Sequence, residues 1–144
     1  METKKDDVSS LHSLGSGKTT YATNEVRPDL LEVFKNQFSG RDYTVKFSTK
    51  EFTSNCPRTG QPDFAEIEVE YVPDDLLLET KGVKLYFFSY RNVGTFMETL
   101  TNNMLSHFVE ACKPRSMTVT AHFAPRGGIP LVVSVSYQKP LDVL

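Results

Sequence analysis

The 144 residues carry 16 Lys and Arg against 18 Asp and Glu, a formal charge of −2, with 39% apolar and 24% charged positions. That length suits one domain around one core, and the composition excludes collagen, coiled coil and extended disorder. A slightly acidic balance offers no basic field to hold a phosphate backbone, so direct binding of nucleic acid is not expected.

No run approaches the roughly 18 apolar residues of a membrane span, and the opening METKKDD is charged, unlike a signal peptide; both features predict a cytoplasmic protein with no membrane partner. Cys56 and Cys112 lack CxxC spacing, which predicts two thiols rather than a disulfide scaffold or a zinc ribbon. His12, His107 and His122 are widely separated and form no paired spacing with either cysteine, so no metal is expected.

Residues 1–22, rich in Ser, Thr, Gly, Lys and Asp, read as an arm, with one domain over 23–144. Within the arm, Gly15 to Thr19 looks like the end of a phosphate loop. The motif fails because His12 stands where its first glycine belongs and no buried strand precedes it. Pro28 can open a short helix through Leu30, Leu31, Val33 and Phe34. Strict alternation predicts strands at 43–47 and 65–71, an antiparallel pair. The intervening 52–63, rich in Pro and Gly, reads as a long connection, the kind of segment that often carries function.

The run VKLYFFSY at 83–90 fits a buried strand or a buried helix equally well. A helix is predicted over 92–111, with Phe96, Leu100, Met104 and Phe108 on one stripe and Lys113-Pro114 ending it. Strands follow at 117–123 and 131–137, joined through Gly127 and Gly128, which permit the positive φ of a hairpin turn. The apolar alternation of 43–47, 117–123 and Leu131, Val133 and Val135 supplies more surface than two helices need. Subunit contacts are therefore expected to cover the remainder and to pair the sheet edges.

Chemistry points first to Cys56. It lies in the polar connection two residues before Arg58, where a cation or a run of backbone amides would stabilise a thiolate. Asp63 could exchange protons with whatever Cys56 attacks. Spacing alone leaves open that the pair is incidental. Cys112, at the end of an amphipathic helix, reads as a packing residue.

The strings EFTSNCPRTGQPDFAEI (51–67), LETKGVKLYFFSYRN (78–92), GTFME (94–98) and APRGG (124–128) closely resemble the NADPH-dependent 7-cyano-7-deazaguanine reductases, the nitrile reductases of queuosine biosynthesis. LGSGKTTYATNEVRPDLLEVF (14–34) looks like that family's N-terminal segment, so the likeness spans nearly the whole chain in its short, single-module form. It implies an α+β tunnelling fold (T-fold): a four-stranded antiparallel sheet with two helices on one face, ββααββ, with VKLYFFSYRN opening the first helix. It also implies a homo-oligomeric barrel, a decamer of two stacked pentamers with active sites between subunits.

By the same resemblance, Cys56 is the thiol that adds to the nitrile as a thioimide, and Asp63 is the acid, kept protonated by partial burial, that protonates the nitrogen. Glu98 anchors the purine-like base of a small-molecule nitrile, with Leu78, Glu79, Thr80 and Met97 as further substrate contacts. Lys81, Lys84 and Arg126 lie near the phosphates of NADPH, with Gly127 allowing close backbone approach. The chain departs from the family at Met97, where histidine is frequent, and at Thr80 and Gly82 in the lysine segment. Two alternatives are a related amidinotransferase acting on nitrile-bearing tRNA and a non-catalytic purine or pterin binder.

Overall fold

A computed structural model describes residues 3–7, 9, 10 and 24–142. Most of the arm, including the Gly15 to Thr19 segment and His12, lies outside the described residues. One 3-10 turn at Pro28–Leu30 leads into β1 (Val33–Lys35), β2 (Val45–Asn55), β3 (Pro62–Val72), β4 (Leu76–Leu78), α1 (Thr80–Phe88), α2 (Met97–Cys112), β5 (Ser116–Arg126) and β6 (Ile129–Gln138). The main sheet is antiparallel in the order β2-β3-β5-β6, and β1 pairs with β4 in a separate antiparallel ladder. The expected ββααββ order therefore holds for the main sheet, with the β1–β4 ribbon added.

Alternation decides which face meets the helices. On β3, Ala65, Ile67, Val69 and Tyr71 are buried, and register sets Val69 between Phe47 and Val119, and Tyr71 between Val45 and Met117. These rows join Leu100, Met104, Leu105 and Phe108 of α2 and Val83 and Tyr86 of α1 in one core. Burying each such aliphatic side chain contributes about 1.5–3 kcal/mol. The opposite face carries Glu68, Thr120 and Ser134 in one row and Glu70, Thr118 and Ser136 in the next. Leu131, Val133 and Val135 pair with Phe123, Ala121 and Val119, so the apolar surface expected to exceed the helices' need lies on the helix side.

Two bulges matter more to function than any other irregularity. Up to Thr49 the odd residues of β2 face the core, but pairing shifts by one between Thr49 and Phe52, after which Phe52 and Ser54 are buried instead. That single extra residue carries Cys56 to the helix side. A second shift, between Phe123 and Arg126 of β5, likewise exchanges the parity of the strand end, so Arg126 rather than Pro125 turns toward the core side.

Several boundaries depart from the sequence reading. The helix expected from Pro28 is one turn long, because Val33 and Phe34 are drawn into pairing with Leu78 and Leu77. The connection read as 52–63 shrinks to 56–61, since Phe52 to Asn55 continue the ladder opposite Ala65 to Pro62. The run 83–90 is helical through Phe88. The second helix begins at Met97, and Phe96, placed on its buried stripe, is its N-cap and 57% exposed. Its end is as expected: Lys113 adopts the left-handed conformation, φ 47°, directly before Pro114. The last hairpin turns through Gly127 and Gly128 at φ 57° and 76°.

Candidate active site

Cys56 leaves the end of β2 into a turn closed by two backbone bonds, Gly60 N–H to Cys56 O at 2.9 Å and Cys56 N–H to Gln61 O at 2.8 Å. Gly60 sits at φ 71°, a conformation glycine takes without a Cβ penalty. Pro57 has no N–H, so the first amides available to the sulfur are those of Arg58 and Thr59. The Thr59 hydroxyl is the strongest influence on the thiol, followed by the Thr59 and Arg58 amides and then the Arg126 guanidinium. Together they bring its pKa down to about 6. At neutral pH Cys56 is therefore mainly thiolate, although only 9% exposed. Cys112 is the opposite case: wholly buried in the α2 end, its thiol is pushed up to about 12 by desolvation.

Asp63 enters from β3, directly across the ladder from Ser54 and 5% exposed. Its Oδ1 lies 2.6 Å from Arg126 Nη2. The contact is close yet misaligned for a hydrogen bond, and Arg126 Nε and Nη2 are buried donors without an aligned acceptor among the described residues. Cys56, Asp63 and Arg126, which come from three segments, thus form one cluster. Sequence reasoning linked the first two and placed Arg126 elsewhere, and it missed Thr59; the turn signal Cys-Pro-Arg-Thr-Gly was the available clue.

The connection between the helices docks on this turn. Asn55 N–H donates to Val93 O at 3.0 Å, and Thr95 N–H donates to Asn55 O at 3.0 Å, a parallel bridge opposite Gly94. A Cβ on Gly94 would stand 3.1 Å from Pro57 Cα, so only glycine lets the two backbones meet this closely without a shift. The bridge fixes where α2 begins, and with it Met97, half-buried against the core, and Glu98, exposed in the first turn. The carboxylate of Glu98 at that N-terminus is favourably placed against the helix dipole.

The remaining predicted residues lie along β4 and α1. Leu78 is buried and its N–H donates to the Tyr71 hydroxyl at 3.1 Å. The Glu79 carboxylate caps α1, accepting from Lys81 N–H at 3.0 Å and Gly82 N–H at 3.1 Å, which holds its pKa below the ordinary value. Gly82 itself lies against the Leu30 carbonyl, where a Cβ would come within 2.7 Å. Thr80 and Lys84 line a groove of about 330 Å³ between β2 and α1, with Phe47, Phe52 and Phe87 as an apolar wall and Arg91 as a second cation. Lys81 is exposed one turn before Lys84 on the same helix. Cys56, Asp63, Arg126 and Gly127 are not among the residues that line this groove, so the structure does not bring the lysines and Arg126 into one lining. Cations beside apolar aromatic walls nevertheless suit a ligand that combines phosphates with flat rings. Among the described residues no group of three or more His, Cys, Asp and Glu could hold a metal.

A family model described as QueF-like protein matches residues 62–142. The NADPH-dependent 7-cyano-7-deazaguanine reductase of Chlorobaculum parvum is 51% identical over 76% of this chain and 94% of its own length. That of Bacillus subtilis is 45% identical over 95% of this chain and 82% of its own length. A solved structure described as the archaeosine synthase QueF-Like in the apo form superposes with TM-score 0.63 at 26% identity, covering 68% of this chain and 96% of that one.

Proposed function

The chain belongs to the QueF-like family of NADPH-dependent 7-cyano-7-deazaguanine reductases, and on that premise we propose that Cys56 is its nucleophile and Asp63 its proton donor. The observation that carries this assignment is the Cys56 thiol itself, buried, surrounded by donors and drawn down to about pKa 6, with a buried carboxyl in the same cluster. A nitrile carbon is a weak electrophile, so addition needs a thiolate and an acid together. The Cys56 sulfur forms a bond to the nitrile carbon, one carbon–nitrogen π bond breaks, and the nitrogen takes a proton from Asp63, leaving a thioimide on Cys56.

NADPH, when bound, supplies a hydride to each of two successive carbon–nitrogen double bonds, so two cofactor molecules are consumed per aminomethyl product. Between those events the carbon–sulfur bond breaks and Cys56 is released as thiolate. Glu98 accepts N–H donors of the base edge in a two-point clamp, with Leu78, Glu79, Thr80 and Met97 bordering the substrate. Lys81 and Lys84 hold the cofactor's phosphates from α1, Lys84 from the groove wall, with Arg126 and Gly127 as further phosphate contacts. The paired lysines of α1 favour a reductase over an amidinotransferase acting on tRNA, and the acidic chain favours a small substrate. The product, 7-aminomethyl-7-deazaguanine, serves queuosine biosynthesis in the cytoplasm, and residues 23–144 act as the single catalytic domain. Mixing protein, NADPH and 7-cyano-7-deazaguanine should deplete NADPH absorbance at two equivalents per nitrile; folded protein that oxidises none would sink the reading.

The assembly proposed is the T-fold barrel. The long strands β2 and β6 are the outer strands of the main sheet, with backbone groups open along one side. Pairing β6 of one copy with β2 of the next removes both edges and closes a ring, and two five-membered rings stack into a decamer with sites shared between subunits. Dilution is then expected to lower specific activity in step with dissociation, followed by sedimentation. A fully active monomer would overturn the shared site.

A further inference from the structure

We infer that His107 is a positioning residue for the Cys56 turn: neutral and carrying its proton on Nε2, it receives the Tyr86 hydroxyl at Nδ1 and so sets the direction of a buried hydroxyl chain that holds the connection between the helices against that turn. This deepens the nitrile-reductase reading and rests on it for the reaction the turn serves. The chain has two links, Tyr90 Oη to Tyr86 Oη at 2.8 Å and Tyr86 Oη to His107 Nδ1 at 2.7 Å. Tyr86 and Tyr90 are 0% and 1% exposed, whereas His107 is half-buried on α2.

Counting hydrogens fixes the direction. With Nδ1 bare, Tyr90 donates to Tyr86 and Tyr86 donates to His107, so both hydroxyl protons are used. With a proton on Nδ1, as in the other neutral tautomer or in the imidazolium, that N–H donates to Tyr86 and Tyr86 must turn to donate to Tyr90. The Tyr90 O–H is then left without an acceptor among the described residues. An unpaired donor at that depth is costly, so the fold selects the neutral ring with its proton on Nε2. Burial already holds the imidazole below its ordinary pKa, against the pull of Glu110 one turn on. α1 presents Tyr86 to this ring and turns Lys84 to the groove, and on α2 itself the buried Cys112 follows. Of the strands packed on α2, β6 presents Tyr137 and β5 presents Arg126 beyond its bulge, while β4 presents no titratable group.

What the chain holds in place is the approach to Cys56. Tyr90 packs on Phe52 of β2 with ring centroids 5.3 Å apart, and its carbonyl accepts Val93 N–H at 2.9 Å. The Val93 carbonyl in turn accepts the N–H of Asn55, the residue before Cys56. A Tyr90 that leaves its place therefore loosens the end of β2 through both its ring and its backbone.

Histidine-selective labelling and NMR read the ring without nitrile or NADPH, the His107 signal being identified by its loss in His107→Gln. The nitrogen shifts should report a proton on Nε2, and a neutral ring protonated on Nδ1 would overturn the inference. Tyr86→Phe is expected to raise the His107 titration midpoint by about 0.5 pH unit or more, because the neutral ring loses its donor. Tyr90→Phe should leave the midpoint in place, since a protonated ring still strands one O–H, now that of Tyr86. A midpoint set by burial alone would stay or fall in Tyr86→Phe, which also overturns the inference. Hydrogen exchange over 93–95 reports the strip docked on the turn. His107→Gln keeps a neutral acceptor and should match the unmodified protein there, whereas His107→Leu and Tyr86→Phe should each exchange about tenfold faster. Unchanged protection of β3 and β5 reports that each variant is folded. Equal exchange in the Gln, Leu and Phe variants would show that the ring does not hold the strip and would overturn its positioning role. If these outcomes hold and the protein forms no adduct with 7-cyano-7-deazaguanine, the reductase reading falls and the His107 assignment stands.

Discussion

Replacing Cys56 with alanine is expected to remove nitrile-dependent NADPH oxidation by about 10⁴-fold or more, the scale on which a covalent nucleophile is missed. The reason lies in the reaction rather than in stability. Without a sulfur the nitrile carbon must accept hydride directly, and its poor electrophilicity is what the thioimide circumvents. Intact-mass analysis after adding 7-cyano-7-deazaguanine without NADPH should find one adduct per chain. That adduct should be absent from Cys56→Ala and unchanged in Cys112→Ala, whose thiol is held up at about 12 by burial and reaches no solvent. The side chain at 56 is small and lies in a turn held by its own backbone bonds, so the variant should fold. An adduct that persists in Cys56→Ala would place the nucleophile elsewhere.

How far the site could be read from the chain depends on which interactions are local. Ala65, Ile67, Val69 and Tyr71 alternate with three glutamates, and a period of two needs no knowledge of the partner strand. Leu100, Met104 and Phe108 mark α2 for the same reason at a period near 3.6. The β2 bulge is different. It exists only as a mismatch between Thr49–Ile67 and Phe52–Ala65 pairing, and nothing in STKEF announces which residue will be extra. The sequence reading therefore ended the first strand early and treated 52–55 as part of a loop. The β1–β4 ribbon escaped for a related reason: three-residue strands are stabilised by each other and are too short to carry a period.

The neighbourhood of Cys56 divides along the same line. Pro57, Arg58, Thr59 and Gly60 are within four residues, and their amides and hydroxyl are positioned by the turn itself, so a lowered thiol pKa follows from local chemistry. Arg126 arrives through the pairing of β3 with β5 and a second bulge, a long-range placement that motif likeness alone assigned to phosphates. Gly94 is legible only in retrospect, because its need for a missing Cβ comes from Pro57, which lies far away in sequence.

Asp63→Asn should separate the two halves of the cluster. Asparagine keeps the shape but cannot deliver a proton, so nitrile reduction is expected to fall by about 10²–10⁴-fold with base affinity little changed. Alkylation by iodoacetamide needs only the thiolate, and its dependence should move the other way. With the carboxylate gone, Arg126 no longer divides its charge between Asp63 and Cys56, and the thiol keeps its Thr59 and Arg58 donors. The alkylation midpoint should then lie below that of the unmodified protein, giving a cysteine more readily ionised but less able to add to a nitrile, since the nitrogen of the adduct finds no acid. The paired measurement is the alkylation rate across pH 4.5 to 8 beside single-turnover adduct formation with the nitrile. Asp63→Asn protein that forms the nitrile adduct at the unmodified rate would show that the proton comes from another group.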